Sequence, residues 1–97
     1  MPRSKSETYF KASLCREYVG RFESKGYPQE RTIINGIEAT DEVINDVRTW
    51  GKEGNKSTSM WRLDRVLVAL GLSLTDFELW ARERDPDYII QKGEPNA

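Results

Sequence analysis

The chain contains no histidine and only one cysteine among its 97 residues. The single Cys15 allows no internal disulfide, and zinc sites built from the usual Cys and His ligands are excluded. The absence of histidine also removes the commonest general base and any Ser–His triad. The sequence has no glycine-rich phosphate loop and no cluster of metal-ligand residues. We therefore expect a protein that is not an enzyme and that needs no cofactor.

Long hydrophobic runs and a strong net charge are also missing. No apolar segment approaches the roughly 20 residues that span a membrane. The basic first residues, MPRSK, are not followed by the apolar segment of a secretory signal. Fifteen basic and 16 acidic residues give a formal net charge of −1, so charge alone does not indicate nucleic acid. We expect a cytoplasmic protein with no membrane partner.

Apolar residues at helical spacing are what the sequence does contain. A hydrophobic fraction of 37%, which includes three Trp, four Tyr and three Phe, is enough for a small packed core. The pattern predicts one all-α domain, a five-helix bundle, over residues 6–85. Residues 1–5 are predicted to be a flexible N-terminal tail, and residues 86–97 a polar C-terminal tail.

The first two helices are predicted from their apolar stripes. In residues 6–24 an aromatic or aliphatic side chain recurs every four positions: Phe10, Leu14, Tyr18 and Phe22. Cys15 lies beside this stripe and is predicted to be a small core residue. The second helix begins near Pro28, which suits a first turn. Its apolar face is Ile33, Ile34 and Ile37.

Capping residues mark the other three helices. The third follows Thr40 as N-cap, carries acids in its first turn and ends at Gly51. The fourth ends at Gly71 and has a one-sided stripe of Leu63, Val66, Leu67 and Leu70. The fifth is capped by Ser73 or Thr75 and ends near residue 85, before a proline. No segment alternates long enough to predict a strand, although residues 88–90 can pair as a short tail.

The segment LDRVLVALGLSLTDFE, residues 63–78, resembles the last two helices of Cro- and phage-repressor-like helix-turn-helix domains. In that family a helix that ends in Ala-Leu-Gly leads into a helix capped by Ser-Leu. The matching residues here are Ala69, Leu70, Gly71, Ser73 and Leu74. The resemblance covers roughly residues 25–80, and it implies a five-helix bundle of the lambda-repressor-like type.

The resemblance places the helix-turn-helix unit upstream, in a frame that starts at Glu30. The positions of the frame that are buried in the family carry Ile33, Ile34, Ile37, Ala39, Ile44 and Val47. Two residues depart from the family pattern, because Ile34 replaces a small alanine and Glu38 replaces the glycine of the turn. Gly36 comes two residues early. We therefore expect a remodelled turn before the recognition helix, residues 40–50.

The function implied by the resemblance is that of a sequence-specific, repressor-like transcriptional regulator of phage or prophage type. It would bind double-stranded DNA as a homodimer and read the major groove with helix 40–50. Asparagine in this helix can pair with adenine, while polar residues at helix starts hold phosphate. The DNA-binding residues are then Gln29, Arg31, Thr40, Asp41, Asn45, Arg48, Thr49, Lys52 and Lys56.

Acidic residues on the same helix favour an alternative. The resemblance points Asp41, Glu42 and Asp46 outward, toward the phosphates of a bound duplex. The alternative is a protein-binding module on a helix-turn-helix scaffold, such as a phage-type inhibitor or an antitoxin-like partner. Trp61 lies off the leucine stripe, so it can be exposed and mark such a partner surface.

Overall fold

Four helices and five short strands form the fold in the computed structural model, which describes residues 8–24 and 32–91. The predicted all-α, lambda-repressor-like five-helix bundle is wrong, since the fold is mixed α/β. In chain order the elements are β1 (Thr8–Lys11), α1 (Ala12–Gly20), β2 (Ile33–Ile34), β3 (Ile37–Glu38), α2 (Asp41–Trp50), β4 (Ser57–Ser59), α3 (Met60–Ala69), α4 (Leu74–Arg84) and β5 (Ile89–Gln91).

A three-stranded antiparallel sheet replaces the first turns of the first predicted helix. Its strand order is β4-β1-β5, so β1 is central. Tyr9 is opposite Ser59 on one side and Ile90 on the other. The start of β1 consists of residue types that favour strands. Part of the predicted polar tail, Ile89–Gln91, forms the edge strand β5, a pairing that the sequence pattern allowed but did not predict.

A β-hairpin, β2–β3, occupies part of the second predicted helix. Ile34 pairs with Ile37, and the turn between them is Asn35-Gly36. Both turn residues have positive φ, 55° and 76°, as a tight type I′ turn requires. The start of that predicted helix, near Pro28, lies outside the described residues. Gly36 therefore makes a hairpin turn, and the helix-turn-helix frame does not hold over residues 32–38.

The hairpin turn packs on the corner between α3 and α4. The Asn35 side chain donates a hydrogen bond of 2.7 Å to the Leu70 carbonyl at the end of α3. Gly71 has a φ of +70°, and a Cβ there would lie 3.4 Å from Asn35 Nδ2. The next helix begins after Ser73, whose hydroxyl accepts from the Asp76 N–H. The predicted Gly71 corner and Ser73 cap are both confirmed.

An aromatic cluster fills the core between the sheet, α1 and α4. It comprises Phe10, Tyr18, Phe22, Phe77, Trp80 and Tyr88. Phe77 is fully buried, and its ring meets Phe10 and Tyr18 edge-on, with centroids 5.5 and 5.3 Å away. Edge-to-face pairs add stabilisation beyond the area that they bury. This cluster joins β1 and α1 to α4.

Candidate nucleic-acid interface

The helix predicted over residues 40–50 is confirmed as α2, with Thr40 as its N-cap. The Thr40 hydroxyl accepts from the Val43 N–H at 3.3 Å, and the Thr49 hydroxyl donates to the Asn45 carbonyl at 2.8 Å. These two hydroxyls are therefore bonded within the helix. The side chains of Asp41, Asn45 and Arg48 are exposed, and all three line one shallow depression on α2.

The loop after α2, residues 51–56, carries two further predicted DNA-binding residues, Lys52 and Lys56, both exposed. Asn55 Nδ2 donates to the Thr49 carbonyl at 2.8 Å, which ties the loop to α2. The Lys56 carbonyl accepts from the Ala12 N–H at 3.0 Å. The C-terminal end of the loop is thus fixed to α2 and to the start of α1. The other two predicted residues, Gln29 and Arg31, lie outside the described residues.

Charge is divided between the two ends of α2. Acids occupy its first turn, Asp41 and Glu42, while Arg48 lies in its last turn. The helix dipole favours this arrangement, since it stabilises acids at the N-terminus and cations at the C-terminus. Within residues 8–24 and 32–91, no carboxylate forms an ion pair with Arg48, Lys52 or Lys56. We call these three cations the basic end of α2.

Asp46 does not lie on the reading face, contrary to the expectation from the resemblance. It is buried, and its carboxylate oxygens lie 2.9 Å from Arg65 Nη2 and 3.8 Å from Arg62 Nη1. Glu42 Oε2 lies 3.4 Å from the other terminal nitrogen of Arg65. Two of the three acids on α2 therefore form ion pairs with arginines of α3. The arginines of α3 therefore offset the negative charges of Glu42 and Asp46.

One face of α3 exposes apolar side chains. Trp61 is 63% exposed, which its position off the leucine stripe allowed, and Val68, seven residues later, is 66% exposed. Residues seven apart lie on the same side of a helix. The guanidinium carbon of Arg65 lies 4.8 Å from the centre of the Trp61 ring, within cation–π distance. We call Trp61, Arg65 and Val68 the α3 face.

A polar cleft of about 250 Å³ lies where the end of α2, the following loop, β4 and the start of α3 meet. Its lining residues are Tyr9, Thr49, Trp50, Asn55, Ser57, Thr58, Ser59 and Arg62. Trp50 Nε1 and Thr58 Oγ1 are buried and have no hydrogen-bond partner among the described residues. Leaving one such group unpaired costs about 1–3 kcal/mol. We call this site the donor cleft.

Of the residues that line the donor cleft, only Thr49 was predicted from the sequence as a site residue. One local signal was present, because Ser57, Thr58 and Ser59 are three consecutive hydroxyl residues directly before a helix. The last of them was readable as an N-cap, and its hydroxyl accepts from the Arg62 N–H at 3.2 Å. Trp50, the last residue of α2, is buried in the core.

The lone thiol and the acids carry no comparable site. Cys15 is fully buried in the core, as predicted, and burial raises the pKa of its thiol far above the usual range. A thiol held protonated is a poor nucleophile. In the part of the chain that the structure describes, no three Cys, Asp or Glu side chains are grouped to hold a metal ion. No helix in these residues is long and apolar enough to cross a membrane.

Comparison with known proteins leaves function to be inferred from this geometry. The likeness of residues 63–78 to Cro-like domains rests on the corner residues alone, and it stays a prediction. No protein-family model matches the chain, and no curated protein or solved structure is significantly similar to it.

Proposed function

We propose that the protein binds double-stranded DNA as a transcriptional regulator, through the basic end of α2. The supporting observation is that Arg48, Lys52 and Lys56 follow one another at intervals of four residues, exposed and without an acidic partner in the described residues. Unpaired cations attract the phosphates of a duplex and release its counterions. The pairing of Glu42 and Asp46 with α3 lowers the repulsion that the acids of α2 would exert.

The residues of this surface have different roles in the proposal. Asn45 is exposed on α2 and reads a base edge, since an asparagine amide can form two hydrogen bonds to adenine. Lys52 and Lys56 contact phosphates, which position the protein without reading sequence. Asp41 lies in the first turn of α2, at the opposite end of the helix from Arg48. A homodimer would place two such surfaces on half-sites about one DNA turn apart.

The test begins with selection of a preferred duplex from a randomised library. Binding of that duplex and of a scrambled one is then measured by fluorescence anisotropy over a salt series. We expect log K to fall linearly with log salt, with a slope of roughly −0.9 per phosphate contacted. A stoichiometry of two chains per selected duplex supports the homodimer. No measurable binding to any duplex at low salt contradicts the proposal.

Two variants separate base reading from phosphate contact. Asn45→Ala should weaken binding of the selected duplex by about 1–3 kcal/mol and leave the scrambled duplex nearly unchanged. Lys56→Gln should weaken both duplexes alike and reduce the salt slope by about one. Arg82→Gln is the control, because Arg82 is also an exposed cation but lies on α4. Equal losses on both duplexes for Asn45→Ala would argue against base reading.

A protein-binding module is the second candidate, and the α3 face favours it. An exposed tryptophan with an exposed valine two turns away is typical of a protein contact surface. Trp61→Ala distinguishes the candidates. If DNA binding is the function, this variant binds the selected duplex like the wild type. If protein binding is the function, the wild type binds no duplex, and the variant loses the complex with its partner.

A further inference from the structure

The donor cleft has the composition of an anion site. Of its eight lining residues, none is Asp or Glu, and one is an arginine. The Trp50 indole is a donor only, and the Thr58 hydroxyl can donate. Both side chains are more than nine-tenths buried, and neither polar atom has a partner within the described residues. Because both atoms are shielded from solvent, an acceptor in the cleft pairs with them once their side chains rotate toward it.

The backbone and the charged side chains near the donor cleft also favour an anion. The cleft adjoins the N-terminus of α3, a ten-residue helix capped by Ser59, where free N–H groups and the helix dipole favour an anion. Arg62 is 45% exposed at its side chain, and it holds Asp46 only at 3.8 Å. Arg65 pairs with Asp46 more closely, at 2.9 Å. Arg62 can therefore turn to a ligand without leaving Asp46 unpaired.

The size and the donor geometry select the class of anion. A volume of about 250 Å³ lies below the roughly 300–1,000 Å³ of pockets that enclose drug-sized ligands. Hydroxyls from Ser57 and Ser59, together with a guanidinium, suit a group with several acceptor oxygens. A phosphate group meets both conditions. A carboxylate offers fewer oxygens to the same set of donors.

We propose that the donor cleft binds one phosphate group, and that in the complex with DNA this group belongs to the duplex backbone. The second half of the proposal rests on the proposed function. The cleft shares Thr49 with α2 and adjoins the loop that carries Lys52 and Lys56. A backbone phosphate held there would fix the register of the duplex on the basic end of α2.

The experiment is a titration of the full chain with inorganic phosphate at constant ionic strength, followed in ¹H–¹⁵N spectra, with chloride as the reference anion. We expect saturable shifts of the Trp50 indole N–H and of the Thr58 amide. Thr58→Val and Arg62→Gln should weaken phosphate binding about tenfold, since a hydrogen bond to a charged group contributes on that order. Arg82→Gln should leave binding unchanged. The dispersion of each spectrum reports whether the variant is folded, and Ser57→Ala replaces any variant that is not.

The same variants with the selected duplex distinguish the two proposals. Phosphate that saturates the cleft while no duplex binds upholds the phosphate site and rejects the DNA-binding function. If a duplex binds wild type and Thr58→Val equally and does not shift the Trp50 indole signal, DNA binding is upheld. The claim that a backbone phosphate of the duplex occupies the donor cleft is then overturned. Phosphate shifts that are scattered or never saturate overturn the phosphate site.

Discussion

Phe10 and Thr58 face each other across β1 and β4, and both are buried, yet they belong to two different regions. Phe10 lies in the aromatic cluster, where its ring contacts those of Phe77 and Tyr88. Thr58 lines the donor cleft, where its hydroxyl has no partner in the described residues. The two residues are similarly buried, but only the polar atom of Thr58 lacks a partner. The aromatic cluster is thus expected to stabilise the fold, and the donor cleft to bind a ligand.

The largest expected effect tests the aromatic cluster. Phe77→Ala removes a fully buried ring at its centre and should lower the free energy of unfolding by about 3–5 kcal/mol, because a cavity remains. Leu79→Ala, on the same helix but 53% exposed, is the control and should change it by roughly 0.5 kcal/mol or less. Urea unfolding measures both. Similar losses would mean that the aromatic cluster is not the main source of stability.

A smaller effect tests the polar side of the molecule. Asp46→Ala removes the buried carboxylate between two arginines of α3. It should lower the free energy of unfolding by about 1.5–3 kcal/mol, the range for hydrogen bonds to charged groups. Glu42→Ala removes another carboxylate from Arg65, but Glu42 is 68% exposed. Glu42→Ala should therefore change the free energy of unfolding by about 0.5 kcal/mol or less. If unfolding in urea shows the opposite order, the α2–α3 contact does not depend on Asp46.

The smallest effect concerns pH and a contact at the edge of the aromatic cluster. Lys11 Nζ lies 2.7 Å from Asp85 Oδ2, and this hydrogen bond is the main cause that lowers the pKa of Asp85 and raises that of Lys11. The contribution of Asp85 is present above its ordinary pKa of 3.8 and is lost as pH falls through the lowered value in the folded state. The contribution of Lys11 is present below 10.5 and is lost as pH rises through its raised value.

Melting temperatures across the acid range check this expectation. Asp85→Asn keeps an oxygen for the bond that the Asp87 N–H makes to Asp85 Oδ1, but it removes the charge. The wild type should melt slightly higher than this variant near neutral pH, and the difference should vanish once Asp85 is protonated. The pair is partly exposed, so the difference is small. A difference that stays constant down to the lowest pH would exclude the Lys11 contact as its cause.

Local signals in the sequence predicted α2, α3 and α4 well, and the hairpin and the three-stranded sheet poorly. The caps Thr40 and Ser73 and the corner at Gly71 act within one helical turn, so they could be read directly. Asn35-Gly36 is an equally local hairpin signal, but the resemblance assigned it to a helix-turn-helix frame. β1 was missed because its partners lie about 50 and 80 residues away, where periodicity carries no information.

The candidate sites divide in the same way. The exposure of Asn45, Arg48 and the two lysines follows from their positions on one helix and one loop. The burial of Asp46 depends on arginines of another helix, which no pattern within α2 indicates. The donor cleft likewise forms only when Trp50, from α2, comes to lie beside Thr58 of β4. Sites that combine residues from several elements therefore could not be predicted from the sequence.

The central position of β1 has a consequence for the order of folding during synthesis. β1 is made early, but its partner β5 ends at residue 91, so the sheet can close only after nearly all described residues have left the ribosome. Until then one edge of β1 offers unpaired backbone groups to other chains. The helices, whose contacts are local, can form first. A newly made chain therefore remains open to mispairing longest at its N-terminal strand.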